Sequence, residues 1–404
     1  MTLFRSRAST PLAEPVAVAA VAAVTRLQLE PAPTAMVWVQ PGQKHECIAV
    51  PTVSLAPGDA LVAIELATIC GSDVHTTQGH RSAPTPLVLG HEQVGRVVAV
   101  GIGAVTSTGE PLDVGERVVW SLTIGCDSCG TCVRGLPQKC ETVRKYGHER
   151  LEAGWELSGG FASHAHLRRG TAIVPVSRVL PAAVLAPVSC GTATAVAALD
   201  AASAITPLDG AVVIVFGAGL IGLTASALAT DRGARVIVVD PARRRRTLAS
   251  RFGAAATVDP ALKPGDPGSL EAAIDGIGTR PLVAVEASGS VLAVASAIDC
   301  LGTGGVAVLV GSVSPSAAVP IDPEAIVRGL ITIRGVHNYA PRHLEEAARF
   351  VEARHDAYPF ADLVGATVAL GDLDDGIEAA ADGGAVRIGV SPSLEPVGSR
   401  TQTG

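Results

Sequence analysis

Four runs in the second half of the chain are continuously apolar: AVVIVF (211–216), ARVIVVD (234–240), PLVAVEAS (281–288) and GGVAVLVGS (304–312). Ala- and Leu-rich stretches of helical character separate them. A strand that is apolar on both faces must be covered on both, and strands that alternate with helices are joined by crossovers. The pattern predicts an α/β domain with a doubly wound parallel sheet. Its first strand ends at Phe216 and runs into Gly217-Ala218-Gly219-Leu220-Ile221-Gly222, followed by the helical LTASALATDRGA. In that setting Gly217 permits a tight turn and Gly222 lets helix and strand pack closely. Gly219 lets the backbone of the turn, with Leu220 and Ile221 opening the helix, approach a pyrophosphate. Asp240 ends the next strand 18 residues beyond Gly222. A carboxylate there accepts hydrogen bonds from the adenosine ribose and repels a 2′-phosphate, so NAD is expected ahead of NADP. The run Arg243 to Arg246 keeps NADP open, although a solvated first helical turn is the preferred reading of those four residues.

The first half is built differently. From about residue 35 to 185, short β-branched runs such as Ala60 to Ala67, Gln93 to Val100 and Glu116 to Trp120 are broken by Gly and Pro. This predicts an all-β, barrel-like domain. Folded chain is expected from about Ala35, at the strand-like MVWV. Residues 1–34, rich in Ala, Val and Pro without a regular pattern, read as a flexible extension and 393–404 as a tail. Glu14 just before the apolar run Val16 to Val24, with no cleavage site after it, argues against a secretory signal. No run approaches the roughly 18 apolar residues of a membrane span. A cytoplasmic protein with no membrane partner is expected, and a net charge of −7 argues against a nucleic-acid partner.

Four of the eight cysteines crowd into one short loop, Cys126-x2-Cys129-x2-Cys132-x7-Cys140. Such clustering points to metal before disulfide. A closed tetrahedral set of four thiolates suits a structural zinc with no open position for chemistry. An iron–sulfur cluster is the rival, disfavoured because no second electron-transfer element accompanies it. Cys47 and Cys300 match no motif and read as packing residues. His164 and His166, in FASHAH, alternate as on a strand face, with metal binding as the alternative.

Cys70-Gly71-Ser72-Asp73-Val74-His75, then Gly90-His91-Glu92 with Gly95, then the four-cysteine lobe, then the glycine-rich turn, stand in a fixed order. In that order the chain resembles the zinc-dependent alcohol dehydrogenases of the medium-chain dehydrogenase/reductase superfamily, over roughly residues 35–392. The resemblance implies a second, catalytic zinc held by Cys70, His91 and Cys190, the last in APVSCGTATA. Glu92 matches an adjacent acid that lies near the metal, and Asp73 the acid that orients His91. Two thiolates and one imidazole leave a fourth position open, and zinc lowers the pKa of a hydroxyl bound there toward neutrality. Ser72 matches the group that takes the alcohol proton and His75 the surface end of that relay. Thr194 falls where the family places a threonine near the nicotinamide, and Arg387, in GAVRIGV, where it often places a basic contact to the cofactor phosphates.

The implied architecture is a GroES-like β-barrel catalytic domain over 35–185, with the zinc lobe at 126–140, a Rossmann domain over 186–339, and a return to the catalytic domain over 340–392. Two zinc ions per chain, NAD, a small-molecule alcohol and its aldehyde or ketone, and a homodimer or homotetramer are the expected partners. The segments GLPQKCETVRKYGHE and LSGGFASHAHLRRGTAIVPV most resemble alcohol dehydrogenases associated with phosphonate catabolism. In the family the segment between His75 and Gly90 lines the substrate pocket, and here it carries His80 and Arg81. A cation there suits an anionic substrate, against the alternative of an arginine at the rim facing water. Two other readings stand beside this one: a zinc-free reductase of the same superfamily, which the retained ligand set disfavours, and a non-catalytic nucleotide-binding protein on the same fold.

Overall fold

The computed structural model describes residues 24–393. The second half forms a six-stranded, all-parallel sheet in the spatial order Ala254–Val258, Arg235–Val239, Val212–Phe216, Val283–Glu286, Val306–Leu309, Thr332–Gly335. The chain therefore starts in the middle of the sheet and winds outward in both directions, which leaves a crevice at the carboxyl ends of the first strands. The continuous apolar runs are explained by two cores on opposite faces. Val213, Val215, Val236, Val238, Val283 and Val285 join the larger core with the helices Gly191–Ser203 and Leu220–Asp231. Their neighbours Val212, Ile214, Phe216, Ile237, Val239 and Ala284 join the other. Each such fully buried side chain contributes roughly 1.5–3 kcal/mol. The two outer strands, Ala254–Val258 and Thr332–Gly335, escape the sequence reading. They sit at the edges, are only partly covered, and so lack the continuous apolar signature.

In the first half, the path Thr171–Pro175, Arg117–Ile124, Gln93–Val100, Ala60–Thr68, Arg387–Ser391, Val364–Ala369 runs through an eight-stranded sheet. Its core holds Trp120, Trp155, Tyr146 and Phe161. Antiparallel pairing of Arg387–Ser391 with Ala60–Thr68 brings the end of the described chain back to this sheet. The expectation of an unstructured extension to residue 34 is corrected. Thr25–Gln28 is already a strand, antiparallel to Thr52–Leu55, and Leu27 and Leu29 pack on Val53, Leu55 and Val37. Pro31 and Pro33 after it hid the strand from pattern reading. Residues 1–23 and 394–404 lie outside the described residues. Among the described residues no single helix is long and apolar enough to cross a membrane.

Candidate active site

Three distant segments meet where the two halves face each other. Cys70 caps the short helix Gly71–Thr77 in extended conformation, with φ −86° and ψ 156°. Buried Asp73, in the first turn, reaches back so that its Oδ2 accepts the Cys70 backbone N–H at 2.9 Å, and its Oδ1 lies 3.4 Å from His91 Nδ1. One carboxylate thus sets both the backbone of Cys70 and the ring of His91. His91 follows Gly90, which turns the chain at φ 89° and where a side chain would meet the Phe161 backbone at 2.7 Å. Cys190 caps the helix Gly191–Ser203. Ser189 before it is anchored twice: its hydroxyl accepts the Gln93 N–H at 3.1 Å, and its carbonyl accepts the Tyr339 hydroxyl. Nothing in the sequence pattern marked Ser189 or Tyr339.

The ligand atoms of Cys70, His91, Glu92 and Cys190 all lie within 4.8 Å of one another. Two thiols, an imidazole and an adjacent carboxylate are a donor set that fits zinc with an open position. The Cys70 thiol is drawn well below the ordinary thiol range by a hydrogen bond from Cys190, against burial, with help from the Arg387 charge. That favours the thiolate a metal requires.

Arg387 departs from its expected place. Its guanidinium does not lie free for cofactor phosphates. It is turned inward, its Nε 2.6 Å from Glu92 Oε2, Nη2 2.8 Å from Oε1, and Nη2 3.6 Å from Cys70 Sγ. Thr68 donates its hydroxyl to Glu92 Oε2 at 2.6 Å. Burial pushes the Glu92 carboxyl up while Arg387 pulls it down. Burial also opposes the charge on Arg387, yet the carboxylate outweighs it and raises the guanidinium above its ordinary range. Each buried charge thus faces the opposite one, with the Thr68 hydroxyl and the Val386 carbonyl completing the set.

Ser72 Oγ lies 3.4 Å from His91 Nε2, and His75 is exposed on the same helix, its ring 5.9 Å from that of His80. Arg81 is half-buried and donates to His148 Nε2 at 3.1 Å. His148, which the sequence reading gave no role, lies ring to ring with His91 at 4.9 Å.

On the nucleotide side, Gly219 caps the helix Leu220–Asp231, and a side chain added at Gly219 would meet open space. The first N–H groups of that helix, including those of Leu220 and Ile221, have no partner within it, as a pyrophosphate cradle needs. A Cβ at Gly222 would stand 1.8 Å from the Gly217 carbonyl oxygen, so helix and turn touch because that residue has no side chain. Asp240 accepts the Ala218 N–H at 2.7 Å and the Ala242 N–H at 2.8 Å, tying the turn to the end of the neighbouring strand. Within the arginine run, Arg243 and Arg244 are exposed, whereas Arg245 bonds the carbonyls of Ala218, Gly383 and Ala385 and bridges the turn to the returning chain. Thr194 donates its hydroxyl to the Cys190 carbonyl at 2.8 Å.

Cys126, Cys129, Cys132 and Cys140 form a second cluster within 4.8 Å. Backbone N–H groups point at the sulfurs: Cys129 N to Cys126 Sγ at 3.3 Å, and Cys126 N and Thr142 N to Cys140 Sγ at 3.4 Å. Bonds to Ser128 and Cys129 draw Cys126 down to about 5, whereas desolvation and its neighbours Cys129 and Cys140 push Cys132 up to about 12. Four thiols so close share protons unevenly, and a cation relieves that. His166 instead pairs with Asp59 at 2.9 Å on a strand, and among the described residues neither it nor His164 joins a metal cluster. Cys300 is buried as expected, but Cys47 is exposed on the strand Glu46–Ala49 and is no packing residue.

The alcohol dehydrogenase GroES-like domain family matches residues 56–178 and the zinc-binding dehydrogenase family residues 221–353. Geraniol dehydrogenase of Castellaniella defragrans is 32% identical over 302 residues, 70% of this chain and 78% of that protein. The chain belongs to the zinc-type medium-chain alcohol dehydrogenase family. An alcohol dehydrogenase of Thermotoga maritima superposes with a TM-score of 0.82 at 28% identity, over 89% of this chain and 99% of its own. A zinc-binding dehydrogenase of Sinorhizobium meliloti, solved bound to NADP, superposes with a TM-score of 0.77 at 26% identity, over the same shares. As in the rest of the family, the fold is a GroES-like domain joined to a Rossmann domain, and the activity is that of an oxidoreductase on CH–OH groups.

Proposed function

We propose that this chain is a zinc-dependent alcohol dehydrogenase that transfers hydride from a primary or secondary alcohol to NAD, or the reverse. The observation that carries the reading is the convergence of Cys70, His91 and Cys190, drawn from three segments, with the helix that Cys190 caps lying so close to the glycine-rich turn that a Cβ at Gly191 would stand 2.4 Å from the Leu220 side chain. Zinc held there supplies a Lewis acid that makes an alcohol hydroxyl acidic near neutral pH, and NAD supplies the hydride acceptor. Asp73 fixes the Cys70 backbone and the His91 ring, and Arg387, held by Glu92, stabilises the Cys70 thiolate. Ser72, beside His91, takes the hydroxyl proton, and His75 passes it to solvent from its exposed place on the same helix. A nicotinamide held in the cleft would supply the acceptor for the carbinol hydride, so that the alcohol leaves as an aldehyde or ketone. Thr194, on the helix that Cys190 caps, would lie against the nicotinamide. Cys126, Cys129, Cys132 and Cys140 hold the structural zinc. Asp240, fixed at the strand end by two backbone N–H groups, favours NAD, and the exposed Arg243 and Arg244 are what an NADP preference would use. Arg81, one ring away from His91, favours an anionic alcohol.

Metal analysis and a substrate panel test the proposal. Two zinc ions per chain are expected, falling to one with loss of activity in Cys70→Ala. A single zinc in the parent chain refutes the catalytic site. Alcohols and aldehydes followed at the reduced nicotinamide with NAD and with NADP decide the cofactor, and the mass in solution tells homodimer from homotetramer.

A further inference from the structure

Of the three converging residues, Cys190 stands at a break between helices. The segments to either side, Ala182–Ser189 and Gly191–Ser203, meet at 54°. Cys190 itself, at φ −133° and ψ −81°, is neither helical nor extended. In an unbroken helix the Ser189 carbonyl would accept the N–H four residues on. Here that carbonyl accepts the Tyr339 hydroxyl, and regular bonding resumes one residue later, where the Cys190 carbonyl accepts the Thr194 N–H at 2.9 Å. The direction of the Cys190 sulfur therefore follows from how its two neighbours are held. Gly191 is pressed against the side chain of Leu220, at the start of the nucleotide-side helix. Ser189 is held by Tyr339 and, through its hydroxyl, by the Gln93 N–H.

Tyr339 comes from the place where the chain returns to the first half. It follows the last parallel strand, Thr332–Gly335, and precedes the helix Pro341–Arg354. Its side chain is buried, and its oxygen also accepts the Leu122 N–H at 3.2 Å, from the strand Arg117–Ile124 of the first sheet. One phenol thus joins the outgoing crossing at Ser189, the returning crossing and the barrel. Tyr339 is itself fixed in place. The next residue, Ala340, donates its N–H to His343 Nδ1 at 3.0 Å, and His343 Nε2 lies 3.5 Å from Asp200 Oδ2, on the helix that Cys190 caps. Ser189 and Leu122 are both buried, so removing the hydroxyl leaves a buried carbonyl and a buried N–H without their partner.

We propose that Tyr339 is a positioning residue for the metal site. By tying the Ser189 carbonyl to the first sheet it fixes the break at Cys190, and so the place of the Cys190 sulfur relative to Cys70 and His91. This rests on the dehydrogenase reading, in which Cys190 is a metal ligand. Tyr339 acts only through Ser189 and Cys190. Residues that hold a ligand in place typically contribute about 10–100-fold in metal affinity.

The test compares Tyr339→Phe with Tyr146→Phe in the full chain. Tyr146 is the control: it is as deeply buried, and its hydroxyl likewise has two partners, the Thr171 hydroxyl at 2.7 Å and the Arg168 N–H at 3.0 Å. With cobalt introduced at the Cys70, His91 and Cys190 site, Tyr339→Phe should shift or weaken the visible bands of the bound ion. Affinity for that ion, measured against a competing chelator, should fall roughly tenfold or more, while the four-cysteine ion is retained. Tyr146→Phe should leave the bands and both ions as in the parent. Ser189→Ala removes the tether to Gln93 but keeps the carbonyl that Tyr339 grips, and should change the bands less than Tyr339→Phe does. An equal or larger change in Ser189→Ala assigns the positioning to the serine and overturns the role of the tyrosine. Parent-like bands and affinity in Tyr339→Phe, equal changes in Tyr146→Phe, or collapse of Tyr339→Phe with loss of the four-cysteine ion overturn it as well. If no alcohol is oxidised yet the second ion binds and Tyr339→Phe loosens it, the role of Tyr339 stands and the dehydrogenase reading falls.

Discussion

Replacing Arg387 by Met distinguishes two accounts of one residue. If the guanidinium served the cofactor phosphates, the substitution would weaken NAD binding and cost little stability. The structure instead encloses it against Glu92, which is wholly buried, through contacts of 2.6 and 2.8 Å. Charge centres about 4 Å apart attract by about 4 kcal/mol at an effective dielectric near 20. Removing one partner of a buried pair typically costs about 3–5 kcal/mol, because the other charge is left enclosed. Arg387→Met should therefore lower the unfolding free energy of the zinc-loaded protein by that amount. It should also loosen the catalytic zinc, since the Cys70 thiolate loses a cation 3.6 Å away. Denaturant unfolding, zinc content after mild chelation and NAD titration measure the three effects. The double variant Arg387→Met with Glu92→Gln should recover part of the stability, because no buried charge is then left alone. Unchanged stability and zinc retention with weakened NAD binding would refute the argument.

Asp73→Asn keeps the shape but removes the charge that holds the Cys70 backbone and faces the His91 ring; catalytic zinc affinity or activity should fall about 10–100-fold, as metal titration would show. Gly222→Ala places a methyl group 1.8 Å from a backbone oxygen; the helix must shift, and NAD binding by calorimetry should be lost while the four-cysteine lobe keeps its zinc. The Cys126 thiol sits at about 5, below its unfolded value, so its thiolate supports the lobe above the unfolded pKa and that support is lost as pH falls through about 5. Protons compete with a metal for these thiolates, so structural zinc release followed with a colorimetric chelator should rise as pH falls, and release that is flat from pH 7 to 4 would contradict this.

Much of this protein was legible in its sequence. Continuous apolar runs required a sheet covered on both faces, the glycine spacing required a tight turn into a helix, and four cysteines in one loop announced the cluster of thiols that the structure brings within 4.8 Å. Each is a local pattern, governed by residues a few places apart. The edge strands Ala254–Val258 and Thr332–Gly335 and the early strand Thr25–Gln28 were not legible, because half-covered strands carry no continuous apolar signature. The direction of the long charged side chains was decided by tertiary structure alone. Arg387 meets Glu92 across 295 residues and Lys139 meets His337 across 198. The chain pattern states that a cation is present. Which carboxylate, ring or empty space it faces depends on how the two halves close, since a buried charge takes the partner that enclosure offers it.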